Sequence, residues 1–325
     1  MRPLSPAAEN TPSLGPSGES PPLWRRALPF VFAGLLVAFV ASRLDVDTFR
    51  RAIARTNYVG FIGLGLAFYS TLLVADAFAT TYVYRHTIAA VRFRDILVVR
   101  AASYLPALLN HHVGQAWLTY FVAKKYGVPV ARAAGATLVG YATTFGALYV
   151  VLLLGLPFNH GRVHWLAPTA AAIFVAAVGY AIVLLKKPAF LARSAVFAPV
   201  LEAGLAGHVQ ALIVRIPHVL VQFAGAWLPF AFFDMHIPFV DALGKIPIIL
   251  FVVTLPVSPQ GLGTREALSI ALLSDYATGT PAERAGTIAA ATLSWLFVLV
   301  VLQLVLSPLF MRRAYALLGR GVPEV

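Results

Sequence analysis

The sequence has 325 residues, of which 59% are hydrophobic and 12% charged, where a soluble chain carries about 25% Asp, Glu, Lys and Arg. Too few charges remain to coat a water-exposed surface, so a soluble globule is excluded. The absence of cysteine excludes disulfides, thiolate nucleophiles, Cys-ligated zinc, iron-sulfur clusters and c-type haem, and no cofactor is expected. The net charge of +12 comes from basic residues spread over short loops between apolar blocks, a pattern of membrane orientation that calls for no nucleic acid.

In chain order, residues 1–22 hold Pro3, Pro6, Pro12, Pro16, Pro21 and Pro22 among Ser, Gly and Glu. Such a composition buries no apolar face and predicts a disordered cytoplasmic tail. An apolar run at 27–44 follows Arg25 and Arg26; the long Pro-rich lead is wrong for a signal peptide, so the run reads as a retained first span. Further spans are expected at 58–82, 131–156, 166–185, 209–233 and 287–310, with a short cytoplasmic tail at 313–325. Two apolar regions, 96–123 and 246–275, are broken in the middle, the first between Asn110 and Gln115, the second between Pro256 and Gly263. Their arms of about 13 to 15 residues reach roughly 20 to 22 Å at 1.5 Å per residue, less than the ~30 Å of hydrocarbon. Two re-entrant hairpins within a single membrane domain at 23–312 are therefore expected.

Charge placement tests this layout. With both regions as hairpins and both termini cytoplasmic, 15 basic residues fall inside and 7 outside, with Arg100, Arg215 and Arg265 in membrane segments. Making the first hairpin a full span reverses the loops after it, to 9 inside against 13 outside, and the positive-inside rule prefers the former. The fold class expected is an all-α polytopic membrane protein of about six spans and two re-entrant hairpins, a layout in which the second half can repeat the first in inverted orientation; eight or ten ordinary spans without symmetry are the alternative.

Backbone that leaves a helix at membrane depth must face protein or a wet cavity. A half-helix begins at each break, and its free N–H groups and positive dipole end attract anions. Asn110, His111, His112, Gly114, Gln115, Ser258, Gln260, Gly261, Gly263 and Thr264 are the candidate binders of a phosphate-type headgroup. The same glycines and prolines would also serve a plain tight turn. Arg265 and Glu266 lie near the midplane, where an ionisable side chain costs about 2.5 to 3.5 kcal/mol. Arg265 is expected to meet the headgroup, and Glu266 to orient Arg265 or carry a proton. Asp76, Arg100, Arg215 and His218 form a second set, expected in a cytoplasm-facing vestibule, although arginines near a helix end can also snorkel. No metal site is expected, and no Walker A, H-E-x-x-H or G-x-S-x-G sequence is present.

The stretch from Leu255 to Ala267, LPVSPQGLGTREA, closely resembles the Pro-x-Ser-x-Gly-Gly-Leu-Gly-x-Arg-Glu signature in the transmembrane, flippase-like region of bacterial lysylphosphatidylglycerol synthases and their stand-alone relatives. It departs at Gln260, where that signature has a glycine. The order of a Gly-containing hairpin, the KKYG segment at 124–127, a long span, and the signature hairpin before the last span is similar over roughly residues 25 to 312. In the first hairpin the family's Pro-x-x-x-Gly-Glu-x-x-Arg falls on Asn110, Gly114, Gln115 and Leu118, and only the glycine is kept. The resemblance implies a lipid flippase-like protein of the bacterial inner membrane. The synthases carry a soluble aminoacyl-transferase domain after this region, and lysyl transfer is not expected of these residues; the altered first motif argues against aminoacylated phosphatidylglycerol as cargo. The expected partner is a membrane lipid with an anionic head, a phospholipid or a hopanoid or polyprenyl-type lipid. Alternatives are a membrane-embedded lipid-modifying transferase, or a non-catalytic subunit docking a lipid-biosynthesis enzyme.

Overall fold

The computed structural model describes residues 45–159, 166–254 and 261–319. The expected tail at 1–22, the first span at 27–44, residues 320–325, and Ser258 and Gln260 of the second break lie outside them. The described residues form eleven α-helices and short 3-10 turns, with no strand among them. In chain order these are α1 (Val46–Arg55), α2 (Tyr58–Thr87), α3 (Phe93–Ala107), α4 (His111–Tyr126), α5 (Val130–Gly155), α6 (Leu166–Lys186), α7 (Ala189–Ala192), α8 (Ala198–Trp227), α9 (Phe239–Thr254), α10 (Thr264–Leu273) and α11 (Pro281–Gly319).

Five helices are long and apolar enough to cross a bilayer: α2, α5, α6, α8 and α11. They coincide with the spans expected in this part of the chain. Their outer faces carry large apolar side chains such as Phe78, Phe174, Ile213 and Phe297 in the open, as a lipid-facing surface requires. α6 buries only Leu166, Ala170 and Leu184 and is the most peripheral of the five. α8 is bent at Gly204, whose φ of 59° and ψ of −175° interrupt the helix. α11 continues to Gly319, through residues assigned to the C-terminal tail. α1 is amphipathic and short; Asp45 caps it by accepting the Thr48 N–H at 2.6 Å, while its own N–H reaches Ala282 O at 3.1 Å, which docks α1 at the start of α11.

The two interrupted regions fold as helical hairpins. In the first, α3 and α4 turn at Leu108, Leu109 and Asn110, and the Asn110 side chain caps α4 by accepting the His112 N–H at 2.8 Å. The arms touch at Gly114: a Cβ there would sit 2.5 Å from Ala107 Cβ and 2.6 Å from Ser103 O. In the second, α9 and α10 pack together, and α10 starts at Gly263, in left-handed conformation (φ 78°). The Gly263 N–H donates to Glu266 Oε2 at 2.6 Å, the carboxylate half of a capping box.

Contacts along α2 give the chain directions. Tyr82 bonds Gln210, Asp76 bonds Arg215, Phe68 abuts Gly225, and Gly60 faces Phe232, so α8 runs antiparallel to α2. α11 runs parallel to α2, with Gly286 beside Asp45, Val298 beside Gly65, and Leu317 O accepting from Lys125 Nζ at 2.6 Å. The base of α3–α4 therefore lies at the Thr87 end of the bundle and the base of α9–α10 at the Tyr58 end. α3 packs on α11 and α9 on α5, α2 pairs with α8, α5 with α8 and α11 with α2. Exchanging α2 with α8, α3 with α9, α4 with α10 and α5 with α11 maps this packing onto itself.

One close approach is testable. A Cβ on Gly155 would lie 2.5 Å from Gly244 N and from Leu243 C, backbone that cannot step aside. Gly155→Leu should lose about 1 to 3 kcal/mol by overpacking, read as a lower thermal midpoint in detergent. Gly63→Leu, at a position with nothing within 4 Å of the added Cβ, should leave it unchanged.

Candidate functional site

Buried charge in an apolar bundle must be paired or hydrogen-bonded, and the pairing here is concentrated at one residue. Asp76, 3% exposed on α2, accepts from Arg100 Nε of α3 through one carboxylate oxygen and from Arg215 Nη1 of α8 at 2.6 Å through the other. Thr80, one turn along α2, adds a hydrogen bond at 3.2 Å. His218 Nε2 stands 3.8 Å from the same oxygen. The far end of Arg100 donates from Nη1 to Gln115 Oε1 at 2.8 Å, which links the cluster to α4. One carboxylate thus orients two guanidiniums, and both arginines line the space beside them.

That space is a cavity of about 290 Å³ lined by α2, α3, α4, α5, α8, α9, α10 and α11. Arg265 reaches its wall from α10. Among the described residues lining it, Asp76 is the one carboxylate, set against Arg100, Arg215 and Arg265, so the lining carries a surplus of positive charge. His112 is held to Tyr141 by a 2.9 Å hydrogen bond. A buried hydroxyl cluster adjoins the arginines, with Thr137 Oγ1 at 2.7 Å from both Tyr84 Oη and Thr119 Oγ1. Phe68, Tyr104, Phe230 and Trp295 contribute aromatic wall, and the Tyr104 ring lies 5.9 Å from the Arg100 guanidinium.

The two residue sets read from the sequence share this single cavity. Asp76, Arg100, Arg215 and His218 line it together with Asn110, His111, His112, Gln115, Gly261 and Arg265. Gly114 serves the packing of α4 on α3 instead, and Gly263, Thr264 and Glu266 build the first turn of α10 outside the lining. Sequence reasoning missed Gln222, Gln303, Thr137, Thr144 and Tyr104. The two glutamines had a visible signal, an amide in the middle of an otherwise apolar span; the hydroxyls had none, because Thr in a helix commonly bonds its own backbone, as Thr144 does to Gly140 O at 2.8 Å, and Tyr in a membrane span commonly serves as an interfacial anchor.

Long apolar helices, broken hairpins and a cationic cavity define a polytopic α-helical integral membrane protein built around a central polar chamber. The chain belongs to the family described as the lysylphosphatidylglycerol synthase TM region, whose pattern matches residues 26–306. Within the sequence only that membrane region is matched, and no aminoacyl-transferase domain is found. No curated protein matches the chain.

Removing Asp76 would leave Arg100 and Arg215 buried without their counter-charge, a loss of about 3 to 5 kcal/mol for a broken buried pair. Asp76→Ala should therefore lower the thermal midpoint sharply. Arg215→Met combined with Asp76→Ala should recover part of that loss in a double-mutant cycle with the two single variants; additive losses would mean that the two residues are not energetically coupled.

Proposed function

We propose that the protein is a lipid flippase-like transporter in which an anionic headgroup enters the central cavity while its acyl or polyprenyl tails stay in the bilayer. In this reading the two helical hairpins are re-entrant and enter the membrane from opposite faces, as halves of an inverted repeat. Family membership supports a role in handling lipid. The observation that carries the choice of headgroup is the charge of the lining, three arginines against Asp76, whose carboxylate is engaged by two of them. Arg100 and Arg215 are pre-oriented by Asp76, so little entropy is lost when they close on a phosphate, and Arg presents paired N–H donors that match phosphate oxygens.

A cationic head would find three guanidiniums and no disengaged carboxylate among the described lining residues. The lysyl ester of phosphatidylglycerol is therefore disfavoured as cargo, and a net-anionic lipid such as phosphatidylglycerol itself fits. The transferase alternative asks for a general base in the cavity: Asp76 is engaged by two guanidiniums, which leaves His111, His112 and His218 for that task, and His112 is bonded to Tyr141 while His218 stands beside Asp76. Asn110, His111, His112, Gln115 and Arg265 are assigned to the headgroup, and Asp76 to positioning Arg100 and Arg215.

The test is headgroup translocation of short-chain fluorescent lipids in proteoliposomes. Phosphatidylglycerol should cross the membrane and phosphatidylcholine should not. Arg265→Ala and Arg215→Lys should each reduce the rate by roughly ten-fold or more, the loss of one charge-assisted, bidentate contact. Equal rates for both lipids, or unaltered rates in both variants, would refute the reading.

A further inference from the structure

The two hairpins share a feature at their bases. α3 opens with Phe93 and α9 with Phe239, and the third residue of each helix is an aspartate, Asp95 and Asp241. In the first hairpin Tyr126, the last residue of α4, donates its hydroxyl to Asp95 Oδ2 at 2.7 Å and accepts the Arg92 backbone N–H at 2.8 Å. In the second, Tyr276, just beyond α10, donates to Asp241 Oδ2 at 2.8 Å and accepts from Lys245 Nζ at 2.9 Å. Each tyrosine hydroxyl thus sits between a nitrogen donor and an aspartate, and ties the end of the second arm to the start of the first.

The equivalence extends inward. Eleven residues before Tyr126 stands Gln115, and eleven before Tyr276 stands Arg265, and both line the central cavity. A movement that frees either tyrosine is therefore carried along one helical arm to a cavity residue. The two bases lie at opposite ends of the bundle, as the directions of α2, α8 and α11 require, and both hydrogen-bonded pairs are formed in this structure.

We propose that the pairs Tyr126–Asp95 and Tyr276–Asp241 are the two end latches of the cavity, released one at a time, each admitting a headgroup from its own side of the membrane. This rests on the transport reading above and adds its gating. The second latch is the tighter one, because Asp241 and Lys245 are 4% and 5% exposed and Lys245 Nζ also lies 4.5 Å from the Tyr276 ring. Losing a hydrogen bond to a carboxylate shifts a closed–open balance by roughly ten-fold or more.

The chain contains no cysteine, so Thr144→Cys, on a half-buried residue of the cavity wall, gives a single reporter. Its labelling by an anionic, membrane-impermeant methanethiosulfonate is measured from each face of sealed vesicles of known orientation. Tyr126→Phe should raise the rate roughly ten-fold from one face and Tyr276→Phe from the opposite face; the double variant should be labelled from both. Labelling that rises from the same face for both single variants, rises equally from both faces for either, or stays unchanged in either would overturn the proposal. Because labelling needs no lipid movement, side-specific labelling without translocation would refute the transport reading alone. Normal translocation with unchanged labelling would refute the latches alone.

Discussion

The arrangement depends on Asp76 held between Arg100 and Arg215. Placing three ionised side chains inside an apolar bundle is costly, and the cost is offset only if each finds its partner with good geometry. That requirement draws α2, α3 and α8 to a common point, since the three residues stand on three different helices. It also fixes the character of the space beside them. A carboxylate shared by two guanidiniums neutralises half their charge and leaves a net positive charge at the cavity wall, so the electrostatics of the chamber follow from the packing of the bundle.

Around that point the described inner ends of the two hairpins line the chamber. They are suited to it because a helix that stops inside a protein has backbone donors left over at its start, and the chain disposes of these differently at the two tips. At α4 the Asn110 side chain takes one of them. At α10 Gly263 adopts a left-handed conformation and its N–H is taken by Glu266, so Glu266 acts on the backbone of its own helix while its neighbour Arg265 faces the cavity. Adjacent residues on a helix point about 100° apart, and that divergence separates the two members of the Arg265-Glu266 pair into different tasks.

Much of the fold was legible in the sequence because the bilayer imposes a length rule. The spans at 58–82, 131–156, 166–185, 209–233 and 287–310 are long apolar runs, and each lies in a long helix. The interruptions at Asn110 and ahead of Gly263 were legible for the complementary reason, that polar and glycine residues stop an apolar helix. The membrane-embedded charges were legible one by one, since an arginine or aspartate in such a run is conspicuous. Their grouping was not: counting residues from helix ends placed Asp76, Arg100 and Arg215 in a vestibule apart from Arg265, and the folded chain lines one cavity with all four. Depth along a single helix is a one-dimensional measure, and it does not say which faces of neighbouring helices meet.

The likeness of the two halves shows the same division. No residue-level identity is apparent when the halves are read side by side, yet Asp95 and Tyr126 occupy the positions that Asp241 and Tyr276 occupy in the second hairpin. Two residues about thirty apart leave no local pattern, and only helices folded back on themselves bring them within hydrogen-bonding distance. By itself the sequence determined that this is a helical membrane protein, where its spans and breaks fall, and which few residues carry charge into the apolar interior, because hydropathy and helix length are local quantities. Tertiary structure alone decided that those charges converge on one carboxylate, that they share a chamber with both hairpin tips, and that each hairpin is tied at its base. Those facts depend on distances between helices far apart in the chain, as with the 139 residues that separate Asp76 from Arg215.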